Sequence, residues 1–302
     1  MLFRSEALKY AFYPGCVAKG GAPELYDSTL AVCDRLGIEL EELTGAACTG
    51  AGVLSERNPE LADTLNARTL AMAEKLGLPL VNICSTCHGV QSQANARLRK
   101  DPEYLARINK HLAPEGLQYN GTTEVKHLLW VLMEDIGVET LKANVQQPLG
   151  DLKAAPFYGC YIVRPSWVLG YDEVPGRKTY LEDLIDILGA EPVEYEGAKK
   201  CCGFPILTMN RTNSLTMTGT HVGDAQRGGA DCMVTPCPLC HLNLDGCQVD
   251  AAGVVREHLD LPVLHLPQMV GLAFGISHTK LGLQKNLVDT KPLVEKVTGN
   301  LS

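Results

Sequence analysis

Leu80-Val81-Asn82-Ile83-Cys84-Ser85-Thr86-Cys87-His88 and Met233-Val234-Thr235-Pro236-Cys237-Pro238-Leu239-Cys240-His241 are the same arrangement written twice. Each is a short apolar run that ends in Cys-x-x-Cys-His. A run of four or five apolar residues bounded by turn formers reads as a buried strand. Both cysteine pairs therefore stand where a strand ends. Outward from these two stretches, four apolar segments recur in the same order in each half. The first half has Tyr10–Tyr13, Ile38–Leu43, Leu80–Ile83 and Val125–Leu132; the second has Ala155–Tyr158, Pro192–Tyr195, Asp231–Thr235 and Pro262–Leu266. Segments with apolar residues three or four apart separate most of them: Glu24–Leu36, Pro59–Leu76, Arg177–Leu188 and Asn213–Gly228. Strands alternating with helices imply an α/β fold with parallel sheets covered by helices. The expectation is two pseudo-symmetric repeats, each a small parallel sheet flanked by helices, with cysteines at the carboxyl ends of the strands. The division falls near Gly150–Lys153, giving residues 1–150 and residues 151–302, the latter with a C-terminal tail.

The other cysteines obey the same repeat. Cys16 and Cys160 follow the first strands, and Cys48 and the Cys201–Cys202 pair follow the second. In the first half 31 residues separate Cys16 from Cys48, and 35 separate Cys48 from Cys84. In the second, 40 separate Cys160 from Cys201, and 34 separate Cys202 from Cys237. Ligands of open parallel sheets bind outside the carboxyl ends of the strands. Three loops on that edge can thus gather Cys16, Cys48, Cys84 and Cys87 at one point, and Cys160, Cys201, Cys202, Cys237 and Cys240 at another. Gly15 and Gly159, just before the first cysteines, and Gly203, just after the pair, are expected to let the backbone approach whatever is bound.

Composition narrows what the thiols do. The 302 residues carry 12 cysteines, below the density of a disulfide scaffold. A chain this long buries enough surface to fold without cross-links. Charges interrupt Met1–Tyr10, so it does not read as a signal peptide, and no apolar run is long enough to span a membrane. A cytoplasmic location with reduced thiols is expected, which disfavours disulfides. The net charge of −8 argues against a nucleic-acid partner. Cys84–His88 and Cys237–His241 both fit the c-type haem motif, but haem needs export and leaves five cysteines unexplained. Structural zinc takes four thiolates and suits the first half. The second half offers five, and adjacent cysteines diverge too much to share one zinc. An iron–sulfur cluster accommodates them. Cys33, Cys232 and Cys247 lie outside the repeat and read as small buried hydrophobes. His88 and His241 are expected to make hydrogen bonds or start helices rather than ligate.

Several stretches together carry a resemblance: Tyr10-Ala11-Phe12-Tyr13-Pro14-Gly15-Cys16, Tyr158-Gly159-Cys160, Cys201-Cys202-Gly203, Gly229-Ala230-Asp231-Cys232, Cys237–Leu242 and Pro262–Gln268. The chain resembles the cysteine-rich CCG domain in its duplicated form, the heterodisulfide reductase B-subunit family. That resemblance implies noncubane [4Fe–4S] clusters, each on five cysteines, and cleavage of a disulfide between two thiol coenzymes. It implies Cys160, Cys201, Cys202, Cys237 and Cys240 as one ligand set. In the first half the motif is incomplete. It reads Ala47-Cys48-Thr49-Gly50, and Ala47 is taken as the position that lost its cysteine. Cys16, Cys48, Cys84 and Cys87 are then left for a [4Fe–4S] or smaller cluster, or zinc. This asymmetric form looks similar to relatives in sulfur-oxidising bacteria and in some succinate dehydrogenases.

No Gly-x-Gly-x-x-Gly fingerprint occurs, so the chain has no dinucleotide site of that kind. It is expected to receive electrons from partners similar to the A and C subunits of heterodisulfide reductase. The expected activity is an oxidoreductase subunit that cleaves a disulfide or oxidises a thiol, small or protein-bound. The alternatives are an electron-transfer module in a succinate dehydrogenase-like or quinone-linked complex, and a regulatory metal protein. Membrane contact is expected only through partners.

Overall fold

The computed structural model of the protein describes residues 8–299. The N-terminal segment read as lacking a signal peptide lies largely outside them. Among the described residues, eight strands form two four-stranded sheets. The first holds β1 (Lys9–Tyr13), β2 (Glu39–Glu42), β3 (Leu80–Asn82) and β4 (Val125–His127) in the order β2-β1-β3-β4. The second holds β5 (Lys153–Pro156), β6 (Glu191–Pro192), β7 (Cys232–Thr235) and β8 (Val263–His265) in the order β6-β5-β7-β8. Every pairing is parallel, so helices connect the strands and cover the sheets. The α/β repeat expected from the sequence is the fold observed.

Strand order determines where the sites lie. From β1 the chain moves to one side for β2 and to the other for β3, which makes a crevice at the carboxyl ends of β1 and β3; β5 and β7 repeat it. Cys16 and Cys84 leave the first pair of strands, and Cys160 and Cys237 leave the second. The two halves are not separate bodies. Both apolar cores take residues from each half: Phe12, Trp130, Tyr158 and Leu264 share one, and Tyr13, Leu98, Phe157 and Val263 share the other.

Three elements depart from expectation; the strand expected over Pro192–Tyr195 is only Glu191–Pro192. The strand expected over Val125–Leu132 stops at His127, because the ring of His127 accepts the Leu129 N–H at 3.0 Å and starts a helical turn. The helix expected over Arg177–Leu188 begins only at Tyr180. Arg177 sits in a tight turn before it, with its guanidinium on the Glu134 carboxylate at 2.6 Å. Among the described residues no helix is long and apolar enough to cross a membrane.

Candidate metal centres

The first site gathers Cys16, Cys48, Cys84 and Cys87 around a cavity of about 190 Å³, which Pro238 and Leu239 of the second half help to line. Cys16 lies in the first turn of the short helix Gly15–Gly20 that follows β1, and its sulfur is 3.8 Å from that of Cys48. Cys84 caps the helix Ser85–Lys100 and accepts the Cys87 N–H at 3.4 Å. Cys16 and Cys48 are exposed, Cys84 and Cys87 buried. Burial pushes the Cys16 thiol up to about 11.

The second site surrounds a cavity of about 250 Å³ lined by Cys160, Cys202, Cys237 and Cys240, with Ser85 and Thr86 reaching in from the first half. Cys201 stands beside it; the neighbouring Cys160 and Cys202 thiols lower it well below an ordinary thiol, and its sulfur accepts the Gly203 N–H at 3.5 Å. Backbone carbonyls fix the adjacent pair. His221 Nε2 lies 3.0 Å from the Cys201 carbonyl, and Asn243 Nδ2 donates to that of Cys202 at 2.7 Å. At Gly159, where φ is +71°, a Cβ would stand 2.9 Å from Cys240 Sγ; at Gly15 it would stand 3.5 Å from Cys87 Sγ. Gly159 thus lets a cysteine sulfur lie close to the chain, while at Gly15 the contact would be an ordinary one and the φ of +80° is what favours glycine. Gly203 does something else: its Cβ would meet the Ser214 carbonyl at 2.8 Å, so its role is helix packing, not close approach to a ligand.

The two sites touch. Cys237 has Cys240 of its own half and Cys84 of the other as neighbours; they lower its thiol, and Cys237 raises that of Cys84. Cys240 is raised by its neighbours Cys202 and Cys237, and Cys202 and Cys160 are each raised by Cys201. Cys84, Cys237, Cys240, Cys202, Cys201 and Cys160 thus follow one another as neighbours across the two halves. Cys84 and Cys237 are equivalent residues of the repeat.

The cysteine-rich CCG domain matches this chain twice, over residues 10–90 and 154–245. The chain belongs to the CCG family. The B subunit of the ferredoxin/F(420)H(2)-dependent CoB-CoM heterodisulfide reductase of Methanosarcina acetivorans is 31% identical over 96% of this chain and 97% of its own length. The 8-methylmenaquinol:fumarate reductase membrane anchor subunit of Wolinella succinogenes is 40% identical over 94% of this chain and 99% of its own. A crystal structure of a hypothetical protein from Helicobacter pylori shares the fold, with a TM-score of 0.73 at 16% identity; it covers 94% of this chain, which spans 53% of that protein's length.

Geometry corrects the reading of the incomplete CCG motif. Cys16 pairs with Cys48 as Cys160 pairs with Cys201. Cys48 and Cys201 are 153 positions apart, the same offset that relates Cys84 to Cys237 and Cys87 to Cys240. In this register Thr49 matches Cys202 and Gly50 matches Gly203. Thr49 and Cys202 are both buried, and Gly50 and Gly203 both have positive φ, +70° and +95°. Thr49 Oγ1 lies 3.9 Å from Cys87 Sγ, where Cys202 meets Cys240. The position without a cysteine is Thr49, not Ala47.

Cys33 and Cys232 are buried in apolar surroundings, as expected; Cys247 is only half-buried. His88 and His241 lie on the buried faces of their helices, and burial holds both rings neutral. Each meets a histidine that ends the fourth strand of its own half. His88 packs edge-on against His127, with ring centres 5.7 Å apart, and His241 stacks on His265 at 3.7 Å. His127 reaches across to the Pro236 carbonyl at 3.0 Å, and His265 to the Glu24 carboxylate at 3.4 Å. The nitrogens and carboxylate of Glu24, His241 and His265 lie within 4.8 Å of one another. With ring planes only 19° apart their lone pairs do not converge, so the group braces the halves rather than forming a ligand set. Cysteine spacing does not point to His127, His265, Thr49 or Thr86. The signal for the histidines is the repeated strand order, which ends β4 at His127 and β8 at His265.

Proposed function

We propose that this chain is the iron–sulfur electron-transfer subunit of a multisubunit oxidoreductase, acting on thiols or disulfides. The gathering of nine thiols around two adjoining cavities, each lined from both halves of the chain, carries the reading. Buried thiols resist ionisation, and neighbouring thiolates repel each other. A cationic metal core relieves both penalties at once, and the apolar wall of the cavity suits it. Zinc takes four thiolates; the second site offers five. We therefore assign a noncubane [4Fe–4S] cluster to Cys160, Cys201, Cys202, Cys237 and Cys240. Cys16, Cys48, Cys84 and Cys87 would hold a [4Fe–4S] or smaller cluster, with zinc as the alternative.

When bound, such clusters supply one-electron steps. The chain's own residues orient the thiolates, exclude water from the second site and leave the first site accessible. The exposed Cys16 and Cys48 face is where a partner similar to the heterodisulfide reductase A or C subunits would deliver electrons. The 250 Å³ cavity is where a small thiol or disulfide, or a protein-bound dithiol, would approach. On this reading residues 1–150 form the relay half and residues 151–302 the substrate half. Reduced thiols favour the cytoplasm, with membrane contact through partners.

A second reading is a quinone-linked relay without thiol chemistry. It is favoured by the cavity wall of Ala51, Val53, Phe204, Pro205, Leu207 and Leu239, which carries no charge, and by the 40% identity to a menaquinol:fumarate reductase subunit. Anaerobic analysis of iron, sulfide and zinc, followed by paramagnetic resonance, tests the assignment. Two distinct iron–sulfur signals are expected. Zinc in the second site would overturn it.

A further inference from the structure

Thr86 stands between Cys84 and Cys87 of the first half, yet its hydroxyl serves the second. Its Oγ1 lies 3.4 Å from Cys237 Sγ, and the residue is 7% exposed. The segment carrying it is anchored to the opposite half. Ser85 donates its N–H and its hydroxyl to the Pro236 carbonyl at 3.3 and 3.1 Å, and His127 Nε2 meets the same oxygen at 3.0 Å. Thr86 is therefore held against Cys237 by the contact between halves, not by a free side-chain rotation. A sulfur that ligates metal is a thiolate and has no proton to give. With Cys237 ligated, the bond can run only one way, from the Thr86 hydroxyl to the sulfur.

The repeat supplies its own control. The residue matching Thr86 is Leu239, between Cys237 and Cys240; both line both cavities, but only Thr86 carries a hydroxyl, and it lies against Cys237 of the second site. Across the near-symmetric contact, a sulfur of the second site receives a hydroxyl that Leu239 cannot offer to the first. Hydrogen bonds to ligand sulfurs are among the features that set the potentials of iron–sulfur clusters. A donor stabilises the reduced, more negative state more than the oxidised one, because a charge-assisted hydrogen bond strengthens with the acceptor's charge.

We propose that Thr86 is a positioning residue that raises the reduction potential of the second site from the first half of the chain, and so biases electrons arriving at the exposed site toward the enclosed one. The inference rests on the cluster assignment above. Its test is a potentiometric titration of the whole chain, loaded anaerobically and followed by paramagnetic resonance. Thr86→Val keeps the shape and removes the donor. It should shift the reduction equilibrium of the second site downward by roughly tenfold, about 59 mV for one electron, and leave the first-site signal in place. Thr86→Ser should restore the native potential. An unchanged second-site potential in iron-loaded Thr86→Val would overturn the inference while leaving the assignment intact. If the valine variant does not load, Thr86→Ala compared with Thr86→Ser makes the same measurement without added bulk, and equal potentials in that pair would overturn it. Zinc at Cys237, seen by metal analysis with no second-site signal, would defeat both.

Discussion

The two cysteine sites share one strand–loop–helix plan and differ in their exposure to water. In the first, Cys16 and Cys48 are exposed. In the second, their counterparts Cys160 and Cys201 are half-buried, and Cys202, Cys237 and Cys240 are buried. The cause is local. Cys16 is itself the second residue of the short helix Gly15–Gly20. After Cys160 the chain runs through an irregular segment to Thr179, and Tyr161 from that segment lines the second cavity and packs on Gly89. Low-dielectric surroundings strengthen every electrostatic contact inside them. The enclosed site is thus suited to chemistry that must exclude water, and the open one to exchange with a partner.

The largest expected effect separates these roles. Cys202→Ser should reduce thiol-dependent dye reduction, assayed with partner subunits, to background. Cys48→Ser should keep a measurable fraction, because it alters the relay and spares the second site. Circular dichroism must show both variants folded, since metal binding and folding are linked. Full activity in folded, cluster-depleted Cys202→Ser would reverse the assignment of roles.

Much of this plan is legible in the amino-acid order. β1, β3, β5 and β7, which Cys16, Cys84, Cys160 and Cys237 follow, are short and mostly apolar, and the cysteine spacing locates each site at the carboxyl edge of its own sheet. Two things are not legible there. Contact between the sites through Cys84 and Cys237 depends on how the two sheets share their cores, which periodicity within one half does not encode. The place of the lost cysteine is easily misread because Ala47 precedes Cys48 as Cys201 precedes Cys202. Gly50 is the better marker, since a positive φ after the pair is a backbone requirement, and it aligns with Gly203 only if Thr49 replaces Cys202.

Acid should weaken both halves through matching histidines. Burial lowers His127 to about 4 and His265 to about 3. A base whose folded value is depressed stays neutral in the fold and charges when the chain unfolds. Its contribution is therefore complete above the unfolded value of about 6.5 and is lost as pH falls toward 4 for His127 and 3 for His265. For His127 the loss is on the order of 3 kcal/mol across that window. Urea unfolding of the loaded protein at pH 7 and pH 5 should show the decline, and His127→Gln and His265→Gln should each flatten it. An equal slope in both variants and the native chain would remove the histidines as its source.

The smallest change is the one that most sharpens the contrast between the sites. Thr49 is buried, and its hydroxyl makes only a long contact with Cys87, at 3.9 Å. Its carbonyl accepts from Asn66 Nδ2 at 3.0 Å, as the Cys202 carbonyl accepts from Asn243. The backbone is thus already held as it is around the cysteine pair. Thr49→Cys is close in volume and breaks no short hydrogen bond, so its cost to stability should stay under about 1 kcal/mol. It adds a fifth thiol beside Cys48, Cys84, Cys87 and Cys16, and the first-site resonance should move toward that of the second. Ala47→Cys is the control. In the structural register Ala47 matches Lys200, outside the ligand set, and its carbonyl is tied to the Tyr13 hydroxyl at 2.8 Å. That variant should leave the first-site signal as it was. If Ala47→Cys moves the signal and Thr49→Cys does not, the cysteine pair is matched one residue earlier, and the symmetry that aligns Gly50 with Gly203 does not extend to the ligands.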